Sequence, residues 1–146
     1  MRFALGLLTV LLTGLFAGGA LYVSLAEHPA RIEAGSAVAL AHFGPSYRRA
    51  ARWQGTWAVG ALLAGLGAAW LSGSWPWALA GVLTGAAIPL TLLVIAPVNR
   101  RLMSCDLPPA GDEAARLLSR WARLHAGRGV LGLAGFAVAA AEALAG

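Results

Sequence analysis

The chain has 146 residues and a mass of 14.9 kDa, with 59% hydrophobic and 12% charged side chains, a mean hydropathy of +0.71 and a formal net charge of +5. A soluble domain carries about twice that share of charge, so the composition excludes a disordered chain and an ordinary water-soluble domain and points to the membrane. All 11 basic residues are arginines set between apolar stretches, which argues topology rather than nucleic acid, and the one cysteine, Cys105, excludes an internal disulfide, a CxxC redox pair and a multi-cysteine zinc site.

The first apolar run, 3–26, is interrupted only by Thr9, Thr13, Ser24 and glycines. At about 1.5 Å per residue it can cross a hydrocarbon core of about 30 Å, and it is longer than the apolar region of a signal peptide, so it is expected to be retained as a span. A polar connector, 27–52, follows and holds His28 and His42. Gly35-Ser36 and Gly44-Pro45-Ser46 punctuate it, and the short apolar piece 37–41 predicts a half-turn or an interfacial helix. The second span, 53–71, closes on Ser72-Gly73-Ser74, a link short enough to return the next helix antiparallel beside it. In the third span, 75–98, Gly81 and Gly85 form a small-xxx-small face and Pro89 predicts a kink. A second loop, 99–111, holds the only asparagine, Asn99, and the pair Pro108-Pro109. Asp112 and Glu113 then suit the first turn of a fourth helix that runs to about 144, with its first turns in water and its span at 123–144. The predicted fold is an all-α integral membrane protein: a single domain, 1–146, forming an up-down-up-down four-transmembrane-helix bundle whose fourth helix extends beyond the membrane.

Arg31, Arg48, Arg49 and Arg52 lie between spans one and two, and Arg100, Arg101, Arg116, Arg120, Arg123 and Arg128 lie between spans three and four or at the start of span four. The positive-inside rule places both long connectors in the cytoplasm and both termini outside a bacterial-type plasma (inner) membrane, with Arg2 alone opposing. Trp53, Trp75 and Trp77 fit an interfacial belt, whereas Trp57 and Trp70 are expected to pack; Gly14 and Gly18 mark another close-contact face.

On the fourth helix, at about 100° per residue, Arg116, Arg120 and Arg123 share one stripe and Trp121, His125 and Arg128 the nearly opposite one, continued by Gly132 and Ala139. The first stripe is expected to face water or headgroups and the second to face the bundle, which aims Arg128 inward, where it needs a partner. The bundle topology gathers Glu27, His28, Asn99, Arg100, Arg101, His125 and Arg128 at one end, and His42 is placed to fold over them. Glu27 can pair with Arg31 or Arg128. The bland alternative is that these groups tie the bundle ends together or meet headgroups. No GxSxG elbow, HExxH, P-loop or GxGxxG pattern occurs, and the spans carry neither midplane charge nor the broken-helix pair of an ion-coupled transporter.

The segments Glu27-His28-Pro29-Ala30-Arg31, Pro97-Val98-Asn99-Arg100-Arg101-Leu102 and Trp121-Ala122-Arg123-Leu124-His125-Ala126-Gly127-Arg128 resemble the anthrone-oxygenase-like family of small four-span membrane proteins, over nearly the whole chain. The resemblance singles out Asn99, Trp121, His125 and Arg128. It implies a membrane-embedded oxidoreductase, an oxygenase acting on a lipophilic aromatic or quinone-like substrate. In that reading His125 is general base or metal ligand, Arg128 and Asn99 stabilise a developing oxyanion, and Trp121 and His28 contact substrate. Glu27 either orients a histidine or joins His28 and His125, with His42 a further candidate ligand, around a metal. The cofactor is left open between none and a histidine-bound iron or copper ion. The expected partners are membrane lipids and a lipophilic small molecule, not nucleic acid, with homo-oligomers through small-residue helix faces. The rival reading is a non-catalytic lipid- or partner-binding protein, or a metal-handling protein, in which the polar cluster is structural.

Overall fold

The computed structural model describes residues 1–109 and 111–145; Ala110, within the predicted second loop, and Gly146, the last residue of the predicted domain, lie outside the described residues. Four helical rods are long and apolar enough to cross a membrane: Arg2–Glu33, Ser36–Ser72, Trp75–Leu102 and Asp112–Ala145. Consecutive rods pack side by side and the fourth closes against the first, so the molecule is an all-α four-helix bundle.

The first rod is α1 (Arg2–Tyr22), a π turn at Val23–Glu27 and α2 (His28–Glu33). The second is one helix, α3 (Ser36–Ser72). The third is α4 (Trp75–Gly85), α5 (Ala87–Leu90), a π turn at Thr91–Ile95 and α6 (Ala96–Leu102), and the fourth is α7 (Asp112–Ala145). Each π turn ends two residues before a proline, Pro29 or Pro97. Proline has no N–H and presses on the carbonyl four residues earlier, here Leu25 or Leu93 inside the π turn, and the wider coil absorbs that conflict without ending the rod. The break predicted at Pro89 falls at Ala86, because the carbonyl that Pro89 leaves without a donor is that of Gly85, the last residue of α4.

The first connector departs from the expectation of a polar connector with a half-turn or an interfacial helix at 37–41. It is almost wholly helical: α2 covers its start, and α3 begins at Ser36 and runs through Gly44-Pro45-Ser46. A mid-helix proline costs about 3 kcal/mol. The offset is tertiary: Ala39 and Phe43, both 0% exposed, are buried in one cluster with Val98, Leu118 and Trp121. Between α2 and α3 the chain turns at Gly35, whose φ of +95° suits glycine, and α3 ends on Gly73 in the left-handed conformation.

Small residues let the rods approach closely. A Cβ on Gly65 would lie 2.5 Å from the Trp77 carbonyl, one on Gly81 2.8 Å from the Ala61 carbonyl, and one on Gly135 2.8 Å from the Ala80 carbonyl. The Gly81 and Gly85 face is thus used within the chain, and Gly14 faces Phe136, whereas Gly18 is exposed with open space above it. Trp70, expected to pack, is 87% exposed; Trp57 packs against the cluster of Phe16, Ala58 and Ala87. The stripes of the fourth helix fall as their periodicity predicts: Arg116, Arg120 and Arg123 are exposed, and Trp121, His125, Arg128, Gly132 and Ala139 are buried. The second loop starts later than expected, because α6 carries the helix through Asn99 to Leu102. Arg101 pins that loop, donating from Nε and Nη2 to the two Glu113 carboxylate oxygens at 2.7 and 3.0 Å and from Nη1 to Asp106 at 3.0 Å.

Two predictions follow from this packing and pinning. Gly135→Leu should lower stability by about 1–3 kcal/mol through overpacking against Ala80 and Thr84, whereas Gly127→Ala, on an open helix face, should be neutral or mildly stabilising; thermal unfolding in detergent reads both. The hydrogen bond from Arg101 holds the Asp106 carboxyl below its ordinary value of 3.8, so the clamp's contribution is present above that value and lost as pH falls through the lower folded value. Amide exchange in 103–109, corrected for intrinsic rate, should therefore rise in wild type only on strong acidification, and already at pH 7 in Arg101→Gln.

Candidate functional site

The polar residues of the bundle converge where both π turns lie. In a straight α-helix every carbonyl is paired within its own turn; the widened turns re-aim the residues that follow, and in both rods those include buried polar groups. Past Pro29 come the buried Arg31 and its neighbours, and past Pro97 comes Asn99, 1% exposed. Asn99 Oδ1 accepts a hydrogen bond of 2.8 Å from Trp121 Nε1. The Trp121 indole stacks on His125 with ring centroids 4.6 Å apart and an interplanar angle of 23°, lies 5.1 Å from the His28 ring, and meets Phe43 edge-on. His125 Nδ1 shares a 3.0 Å hydrogen bond with Ser24 Oγ in the first π turn. Arg31 is paired with Glu27 one helical turn before it, and the same carboxylate accepts from Ser46 of α3.

Arg128 is held differently. It is 8% exposed, donates from Nη2 to Gln54 Oε1 at 2.8 Å and lies 5.2 Å over the Phe16 ring. Among the described residues it has no carboxylate partner, since Glu27, which the sequence left open between Arg31 and Arg128, is engaged by Arg31 and Ser46. A buried guanidinium answered only by an amide oxygen and a π face lacks the compensation that buried charge ordinarily requires. Four buried polar atoms here have no hydrogen-bond partner: His28 Nδ1, Arg31 Nε, Asn99 Nδ2 and Arg128 Nε. Arg31, Tyr47, Gln54, Asn99, His125 and Arg128 line a cavity of about 20 Å³, room for about one water. A cleft of about 150 Å³ shares Tyr47, Ala51, Gln54 and Arg128 with it and continues along the apolar side chains of Phe16, Ala58 and Ala87.

Of the residues expected from sequence, Asn99, Trp121, His125, Arg128 and His28 are thus brought together. Glu27 neighbours them but serves Arg31, and His42 stands on the outer face of α3, its side chain 52% exposed and 3.9 Å from Glu27. Among the described residues no three His, Cys, Asp or Glu side chains are grouped so as to hold a metal ion. The geometry gives the reason: the Trp121 ring packs against both buried imidazoles, Ser24 engages His125 Nδ1, and the Glu27 carboxylate is committed elsewhere. Arg100 is exposed and Arg101 belongs to the loop clamp. Sequence reasoning missed Gln54, Ser24, Ser46 and Tyr47. The one signal for Gln54 is that it is the only glutamine of the chain, at the start of a span, as Asn99 is the only asparagine.

Comparison with known proteins gives the same region a context. The anthrone oxygenase family matches residues 43–138, which include Gln54, Asn99, Trp121, His125 and Arg128. A curated relative, the anthrone oxygenase tpcL of Aspergillus fumigatus, is 43% identical over 63 residues, a stretch covering 41% of this chain and 39% of that protein. No solved structure matches the chain.

The hydrogen bond between Trp121 and Asn99 is open to a direct check. Asn99→Leu leaves a buried indole N–H without an acceptor and should cost about 1–3 kcal/mol. Adding Trp121→Phe should cost less than the sum of the single changes, because the second change removes the orphaned donor; additive losses of thermal stability would contradict the pairing.

Proposed function

With more than half of its length matched, the chain belongs to the anthrone oxygenase family, and on that premise we propose that it is a membrane-embedded oxygenase whose substrate is a lipophilic aromatic ketone with an acidified ring CH₂, as in an anthrone. The observation that carries this reading is the buried Arg128 guanidinium without an anion, on a cavity wall it shares with His125 and Asn99. Such a cation is suited to an oxyanion that exists only while the substrate is reacting.

The roles follow from the hydrogen bonds. With His125 Nδ1–H donating to Ser24 Oγ, the free ring nitrogen is Nε2, which takes the proton from the ring CH₂. The negative charge moves to the ketone oxygen, where Arg128 Nε–H and the Asn99 amide N–H are donors not used by the protein. Trp121 fixes the amide the right way round, since its N–H takes Asn99 Oδ1 and leaves Nδ2 as the donor. Dioxygen then accepts electrons from the carbanion and bonds to carbon, and His125 returns its proton to the peroxide; loss of the remaining CH proton together with hydroxide then breaks the O–O bond, so that CH₂ and O₂ become C=O and H₂O. The residues are asked to take and return a proton and to hold one oxyanion. Trp121, packed against His28 and stacked on His125, lines the cavity and holds the imidazole of the base in place. The exposed Arg48, Arg49, Arg52, Arg116, Arg120 and Arg123 meet lipid phosphates, and the positive-inside rule turns this end to the cytoplasm.

Oxygen uptake by protein in lipid nanodiscs supplied with an anthrone tests the reading. Wild type should consume one O₂ per carbonyl formed, Arg128→Met should lower kcat by about 10²–10³, and His125→Ala by about 10²–10⁴. Undiminished turnover by His125→Ala, or variants that melt earlier yet keep full activity per folded molecule, would return the cluster to a structural role.

A further inference from the structure

The site described above is nearly closed: its cavity of about 20 Å³ is far smaller than any aromatic ring system. A lipophilic substrate therefore needs both a place to lie and a way in, and the adjoining cleft of about 150 Å³ offers them. Its walls run from Phe16, 0% exposed at the bundle core, to Leu92, 65% exposed on the lipid-facing surface, so the cleft passes laterally between the second and third rods. Along it the α3 side sets the small residues Ala51, Gly55 and Ala58 beside Tyr47 and Gln54, and a Cβ added at Gly55 would meet nothing within 4 Å. The opposite wall carries Thr91 and Leu92 of the second π turn, where the backbone departs from regular helical pairing. At its inner end stands Arg128, more than nine-tenths buried, with Nε unpartnered, a hydrogen bond to Gln54 and its guanidinium over the Phe16 ring.

We propose that this cleft is a lateral substrate site: a planar aromatic ligand slides in from the bilayer between α3 and the π turn at Thr91–Ile95, lays its rings along Ala51, Gly55 and Ala58, and presents an oxygen to Arg128. Gln54 is the latch, since its carbonyl holds the guanidinium in the empty site and is the hydrogen bond a ligand oxygen exchanges for. The arrangement keeps the ligand out of water throughout, which suits a molecule that partitions into lipid. The inference rests on the oxygenase reading only for the class of ligand; the cleft and its polar end are independent of any turnover.

The test is binding, not catalysis. A dihydroxyanthraquinone, a coloured product-like probe with phenolic and quinone oxygens, is titrated onto wild type, Gly55→Leu, Gly127→Leu and Arg128→Met in nanodiscs, with thermal unfolding confirming that each is folded. Wild type and Gly127→Leu, where the added side chain lies on an open helix face, should bind saturably and alike. Gly55→Leu should weaken binding at least tenfold by filling the cleft, and Arg128→Met should shift the probe's phenolate absorbance as well as its affinity. Binding by Gly55→Leu equal to wild type, absence of saturable binding in wild type, or displacement of the probe by phospholipid acyl chains alone would overturn the lateral site. Oxygen uptake measured as above would separately show whether the oxygenase reading stands without it.

Discussion

A guanidinium taken into an apolar bundle must be answered by hydrogen bonds and charge, and this protein buries two within one cluster and answers them in opposite ways. Arg31 is given a carboxylate at the i,i+4 spacing, a hydroxyl from α3 and two aromatic faces, so its charge is closed off locally. Arg128 is given an amide oxygen and one ring. Glu27, which could have paired with it, is engaged by Arg31 and Ser46. The bundle thus neutralises one cation and leaves the other without a carboxylate among the described residues. The rods that must meet are those carrying Gln54, Asn99 and Arg128, and their approach at the other end of the bundle is set by Gly65, Gly81 and Gly135.

The backbone solves a related problem. Polar residues at the end of a span have to turn inward while the rod remains continuous, because an unpaired carbonyl in lipid is costly. Proline two residues beyond a π turn achieves this twice, at Val23–Glu27 and at Thr91–Ile95. The first π turn contains Ser24, which meets His125, and Glu27, which meets Arg31; the second leads into Asn99 and forms a wall of the cleft. The same local device therefore supplies the polar partners on one side and the apolar passage on the other.

How much of this was legible in the sequence divides along a physical line. Features with a period were readable: the four apolar runs, the inward stripe of Trp121, His125 and Arg128, and the outward stripe of Arg116, Arg120 and Arg123. Proximity along one helix was readable too, so the pairing of Glu27 with Arg31 stood among the options. What was not readable were partners joined only by tertiary approach, such as Gln54 to Arg128, 74 residues apart, and Ser24 to His125, 101 residues apart. The helical first connector was misread because Gly44-Pro45 is a strong local breaker, and what overrides it, the burial of Ala39 and Phe43, involves residues from the three other rods. The spatial grouping of the histidines and Glu27 was unreadable for the same reason: among the described residues they form no three-ligand group, and the Trp121 ring that packs against both imidazoles is brought there by tertiary approach.

The span of the family match sharpens what each rod contributes. Residues 43–138 hold Tyr47, Gln54, Asn99, Trp121, His125 and Arg128, together with Ala51, Gly55, Ala58, Thr91 and Leu92 of the cleft. The first rod lies before it and supplies Phe16, Ser24, His28 and the Glu27–Arg31 pair. The groups assigned to proton transfer, oxyanion binding and ring accommodation therefore sit within the matched segment, while the first rod contributes what fixes them: a hydroxyl hydrogen-bonded to His125, a ring beneath Arg128, and a carboxylate that neutralises the second guanidinium. Without that carboxylate two uncompensated guanidinium groups would line one cavity, and their field would be relieved by water or by opening of the bundle. Glu27 is in this sense part of the site by exclusion: it satisfies Arg31 so that Arg128 need not be satisfied.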